Sequence, residues 1–187
     1  MKAKKQVQKK TTAITAAVPK GQDIIDLILA DHKPLKKLIK IMKDTDEYNL
    51  SQRKAAFDEF APLLTRHAKP EEQTWYAYMK EDLEEMREDG FEGDVEHGLV
   101  DQLIEEVMRT KGDDDLWSAR AKVLAEMVEH HIEEEEEEML PEFKKDSEKQ
   151  VRLQLGAEYL AAKANVQPDG KELNPSKKPM LDQFTQA

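Results

Sequence analysis

The feature that most constrains what this chain can fold into is the placing of its histidines. Four of the five stand one to a segment, each in a slot of a stripe that is otherwise apolar. His32 fills the gap in Ile24, Ile25, Ile28, Leu35, Leu38, Ile39 and Met42, and His67 follows Phe57, Phe60 and Leu64. His97 opens the run Val100, Leu103, Ile104, Val107 and Met108, while His131 continues Trp117, Ala121, Leu124 and Val128. Residues three and four apart share one face of a helix, so these spacings predict four amphipathic helices. Short connections between helices of comparable length favour antiparallel neighbours, which predicts an all-α, up-down-up-down four-helix bundle. Two of the histidines are followed one turn later by Glu71 and Glu135. Each pair presents an imidazole and a carboxylate to the same inward point. Ionisable groups inside a bundle are costly unless paired or bound to a metal, so the simplest reading is a metal site in the core.

Four stretches follow from the pattern. Residues 1–20 hold six lysines and no acid and read as a flexible basic tail. Residues 21–145 carry the bundle, and 146–165 form an additional C-terminal helix whose Val151, Leu155, Tyr159 and Leu160 are expected to pack on its outside. Residues 166–187, with Pro168, Gly170, Pro175 and Pro179, read as an irregular tail. Within the bundle, Asn49 to Ser51 supply capping side chains for the second helix. Asp89, Gly90, Gly93 and Asp94 predict a turn before the third, and Lys111 to Asp115 predict its end. Pro34, Pro62 and Pro70 fall inside segments read as helical, where each deletes an amide donor and is expected to kink the backbone.

Charge and composition remove several functions. The formal net charge is −11, and the basic tail leaves the remainder more acidic still, which argues against nucleic acid as a partner. Cysteine is absent, so disulfides and thiolate metal sites are excluded and any metal must use nitrogen and oxygen ligands. No run of 18 apolar residues exists to span a membrane. Thr11 to Val18 follow a basic beginning, but this apolar stretch is short and broken by threonines, so the expected location is cytoplasmic.

The second and fourth segments share one local pattern: a histidine, three residues, two glutamates, two spacers and two apolar residues, from His67 to Tyr76 and from His131 to Leu140. The register selects His131 over His130, which is rotated about 100° toward the charged side. Glu72 and Glu136 are expected to be exposed, and Trp75, Tyr76, Tyr78 and Met139 to serve packing. Four imidazoles and two carboxylates exceed what one tetrahedral zinc requires. Two metals bridged by Glu71 and Glu135, with His32, His67, His97 and His131 as terminal ligands, would use all six. Iron, manganese and zinc all accept such donors. No Glu-x-x-His pair of the ferritin-like kind occurs in the chain.

These residues resemble the hemerythrin-like, or HHE cation-binding, domain family. The resemblance covers about Asp23 to Phe143 and is carried by Asp31-His32, His67-Ala-Lys-Pro-Glu71-Glu72, Glu96-His97 and His130-His131-Ile-Glu-Glu-Glu135-Glu136. It implies a non-haem centre of two iron ions held by His32, His67, Glu71, His97, His131 and Glu135. It further implies a small diatomic ligand such as dioxygen or nitric oxide, or a response to iron. Where oxygen-carrying members have a second histidine one turn after that of the third helix, this chain has Asp101. Two other readings stand beside a binding or sensing protein: a di-iron oxidoreductase consuming peroxide, dioxygen or nitric oxide, and a metal-free helical interaction module.

Overall fold

A computed structural model of the chain describes residues 21–111 and 114–167. The tails expected at 1–20 and over most of 166–187 lie outside the described residues. The first helix, α1 (Ile24–Lys43), starts where the Asp23 carboxylate accepts from the Ile25 amide at 3.1 Å. The second, α2 (Leu50–Gln73), opens with the expected capping side chain. Asn49 accepts from the Gln52 amide and Gln52 accepts from the Asn49 amide, both at 3.0 Å. Such reciprocal caps satisfy amides that the first turn leaves without partners. The three prolines do not end their helices, since α1 runs through Pro34 and α2 through Pro62 and Pro70.

The expected second helix bends at Thr74, whose φ of −125° and ψ of −76° are not helical. A short helix, α3 (Trp75–Asp82), continues beyond it. The bend re-aims the side chains that follow: Tyr76 is fully buried whereas Tyr78, also expected to serve packing, is only partly so.

The turn expected at Asp89 to Asp94 does not exist. The chain reverses earlier, through Leu83 and the 3₁₀ turn Glu84–Met86, and α4 (Arg87–Arg109) already contains both glycines. Their role is close approach to α3 rather than turn formation. A Cβ on Gly90 would come within 3.1 Å of the Tyr76 carbonyl oxygen, and one on Gly93 within 2.6 Å of the Tyr76 ring. Helix α5 (Asp114–Glu134) continues through a π-helical turn, Glu135–Met139, into α6 (Leu140–Asp146).

Helices α1, α2 with α3, α4, and α5 with α6 form the four antiparallel members of the bundle, each packed on its sequence neighbour, with α5 closing on α1. The additional helix, α7 (Lys149–Asn165), lies against α1 and α2. Leu160 is 43% exposed, against expectation, but Leu155 and Tyr159 are buried. At the close crossing a Cβ on Gly156 would fall 2.0 Å from the Gln22 carbonyl oxygen. Gly156→Ala must therefore displace α7 or the start of α1, and we expect a loss of about 1–3 kcal/mol or more, as for other overpacking changes. Gly98, inside α4, has open space at its Cβ position. Gly98→Ala should instead gain up to about 1 kcal/mol from helix propensity. Thermal unfolding of the two variants, with opposite shifts expected, checks both statements.

Two apolar clusters fill the interior. One is built from Leu35, Ile39, Phe60, Leu64, Val100, Ile104, Leu124 and Val128 with their neighbours. The other contains Ile24, Ile28, Trp75, Tyr76, Met79, Met139, Phe143 and Tyr159. Along α1, α2 with α3, and α5 with α6 the candidate histidine falls between residues of these two clusters, and His97 of α4 lies between Met86, just before the helix, and Val100, so the polar layer separates the clusters.

Candidate metal centre

All six residues singled out by the sequence are buried in that layer. His32, Glu71 and Glu135 are 0% exposed, His67 1%, His97 4% and His131 5%. His130, one residue away from the chosen histidine, is exposed. The imidazoles form two pairs. The rings of His32 and His67 have centroids 4.9 Å apart, and those of His97 and His131 4.8 Å apart. Each carboxylate reaches one member of each pair. Glu71 Oε2 lies 3.3 Å from His67 Nε2 and 4.0 Å from His97 Nε2. Glu135 Oε2 lies 3.1 Å from His32 Nε2, and its Oε1 lies 3.5 Å from His131 Nε2. Ligand atoms of His32, His67, Glu71 and Glu135 all fall within 4.8 Å of one another.

The outward nitrogens fix which way these rings face. His32 Nδ1 meets Glu136 at 2.9 Å, His97 Nδ1 meets Glu72 at 3.3 Å, and His131 Nδ1 meets Glu96 at 2.5 Å. A carboxylate only accepts, so each Nδ1 carries a proton, and each ring, when neutral, turns the lone pair of its Nε2 inward. Such outer hydrogen bonds orient metal-ligating imidazoles and raise their basicity. Glu72 and Glu136, expected on the solvated face, are thus half-buried partners of His97 and His32. The sequence reading did not single out Glu96 as the partner of His131. Its signal was positional, because it precedes His97 and faces the neighbouring helix.

Tyr76 is a further residue that the stripe did not identify. Its hydroxyl donates to Glu135 Oε1 at 2.6 Å and stands 3.2 Å from His131 Nε2, beside the pair formed by His97 and His131. Burial, and then the charge of Glu135, raise its pKa well above the ordinary phenol value, so it remains a donor. Asp101, the departure noted in the sequence, is half-buried and pairs with Lys69 at 2.9 Å.

The electrostatics of the layer favour a cation. Burial, and then the charge of Glu135, push the Glu71 carboxyl well above the usual carboxylate range, and neither of its oxygens has a hydrogen-bond partner. Burial also opposes charge on Glu135, but His131 and His32 outweigh it and hold that carboxyl below its usual range. Burial and the neighbouring His32 keep His67 neutral, with a pKa well below the ordinary imidazole value. For His131 burial acts the same way, yet Glu135 and Glu96 prevail and raise its pKa. His97 Nε2 and His131 Nε2 are 3.1 Å apart, and two inward lone pairs at that distance repel unless a proton or a metal ion lies between them. Orphaned carboxylate oxygens in a dry core carry a desolvation cost that metal coordination removes. Imidazole and carboxylate donors without thiolate suit iron, manganese and zinc.

The fold and this layer define a class: a four-helix bundle with a buried histidine–carboxylate centre fitted to hold metal. The family model described as hemerythrin HHE cation binding domain matches residues 23–143, and the chain belongs to that family. A relative, described as an uncharacterized hemerythrin-like protein of Schizosaccharomyces pombe (strain 972), is 26% identical over 157 residues. The aligned part covers 83% of this chain and 76% of that protein. No solved structure matches the chain at a significant level. Among the described residues no helix is long and apolar enough to cross a membrane.

Proposed function

We propose that this protein holds two iron ions in the buried layer and uses them to bind or sense dioxygen or nitric oxide. One observation carries the reading: each of two carboxylates reaches one histidine of each of two imidazole pairs. That is the connectivity expected of Glu71 and Glu135 as bridges, with His32 and His67 serving one ion and His97 and His131 the other. Iron at such a centre supplies redox change and a coordination position open to a diatomic ligand.

The protein's own groups prepare the site for that role. Glu136, Glu72 and Glu96 hold three imidazoles with their Nε2 atoms inward before metal arrives. The apolar clusters on both sides limit water, so a bound diatomic ligand would meet few competing protons. Tyr76 is the hydroxyl donor nearest to Glu135 and His131, placed to hydrogen-bond a polar group at that side of the layer.

Protein reconstituted anaerobically with ferrous iron should retain about two equivalents per chain after desalting, because the ligand atoms that lie within 4.8 Å of one another belong to His32, His67, Glu71 and Glu135, which leaves His97 and His131 for a second ion. Elemental analysis against protein concentration checks this, and zero or one equivalent would sink the two-ion reading. Optical changes on adding dioxygen or nitric oxide to the loaded protein then test the ligand class.

A further inference from the structure

Three of the four inward histidines are held from outside by carboxylates on the bundle helices. His67 is the exception. Its Nδ1 lies 3.3 Å from the hydroxyl of Tyr159, which belongs to α7. That hydroxyl donates its one proton to Asp31 Oδ2 at 2.6 Å. Having spent its proton there, it can only accept from His67, so Nδ1 of His67 must be the protonated nitrogen and Nε2 must face Glu71 as a lone pair. Asp31 is itself 3.9 Å from His67 Nδ1 and pairs with Lys163, also on α7. Tyr159 is fully buried, so the contact needs α7 in place.

Among the described residues no side chain of the bundle itself lies within hydrogen-bond distance of His67 Nδ1, the nearest carboxylate, Asp31, being 3.9 Å away. The span that the family model matches ends at residue 143, whereas α7 begins at Lys149. The helix is held by specific contacts to the start of α1 and the chain before it. Arg152 pairs with Asp23 at 2.9 Å and donates to the Ser147 carbonyl at 2.6 Å, and Gly156 lies against the backbone of Gln22.

We propose that α7 is a working part of the metal centre, with Tyr159 as the positioning residue of His67, so that metal occupancy and docking of α7 are thermodynamically linked. The inference rests on the metal-binding reading above. A group that holds a ligand in its binding geometry favours metal, and by reciprocity bound metal favours the conformation in which that group is in place. Release of α7 would loosen the ion held by His67 while leaving the contacts of His97 and His131 intact. The additional helix thereby gives this chain a handle on its metal centre that residues 23–143 alone lack.

The test uses the full-length protein with ferrous iron under anaerobic conditions. Iron affinity is measured by competition with a chelator for the wild type, Tyr159→Phe and, as a control away from the layer, Tyr78→Phe. Tyr159→Phe keeps the buried ring and should weaken one of the two irons, the one held by His67, about 10-fold or more, the usual scale for loss of such an outer hydrogen bond, with Tyr78→Phe unchanged. In parallel, hydrogen exchange of residues 149–165 in the wild type should slow when iron is bound. A Tyr159→Phe protein that folds and binds iron with wild-type affinity overturns the proposal. If that variant does not fold, the exchange measurement decides, and iron that leaves exchange of α7 unchanged overturns it. Failure of the wild type to bind iron at all would instead refute the metal-centre reading, and this inference with it.

Discussion

Iron-loaded protein should melt about 8–16 °C above the metal-free protein at neutral pH. Metal that binds only the folded state stabilises it by about 4 kcal/mol when its concentration is a thousand times the dissociation constant. For a chain of this size each kcal/mol moves the midpoint by roughly 2–4 °C. The gain is large here because the layer is poorly satisfied without a cation: Glu71 has two orphaned oxygens, and the His97 and His131 nitrogens face each other. Differential scanning calorimetry of both forms at matched concentration measures the gap, and coincident melting curves would exclude a core location for the metal. The gap should also widen with pH. A carboxyl whose pKa is raised by folding, as that of Glu71 is, keeps its proton after the unfolded chain has released its own. The metal-free fold therefore loses stability as pH climbs above the ordinary carboxylate pKa of about 4.3 toward the folded value. Iron must displace that proton, and the one drawn by the raised His131, so the loaded form gains over the same rise.

Substituting either carboxylate should cost more metal than substituting any single histidine. Glu71→Ala and Glu135→Ala are each expected to reduce bound iron from about two equivalents to less than one, because each carboxylate spans both imidazole pairs. His97→Ala should chiefly lose the ion on its own side, and His130→Ala, altering an exposed ring, should retain both. Iron content across the four purified variants, with circular dichroism to confirm folding, reads the result directly. Retention of both ions by Glu71→Ala would show that this carboxylate does not bridge.

The same residues show what a linear pattern can and cannot convey. The six-residue layer was legible because burial on a helix is periodic: a histidine occupying an apolar slot reaches the core whatever the details of crossing angle or loop. The choice of His131 over His130 rested on that rotation alone, and the structure buries the one and exposes the other. The helix breaks were less legible. Gly90 and Gly93 read as turn residues because glycine most often serves conformational freedom, whereas here it serves the close approach of α3 and α4. Nothing in the one-dimensional pattern distinguishes those uses, since the demand comes from the Tyr76 ring on another helix.

The sequence by itself determined the helical class, the polar layer and its six inward residues, because each of these follows from the 3.6-residue period and the cost of burying charge. Only the tertiary structure decided how the layer is held. Glu72 and Glu136 sit at helix edges, where a solvated and an inward-reaching carboxylate have the same spacing, and the outcome depended on which imidazole stood across the interface. Tyr76 entered the layer because the backbone bends at Thr74. Tyr159 reached His67 from a helix 92 residues further along the chain, a distance over which no sequence period carries information.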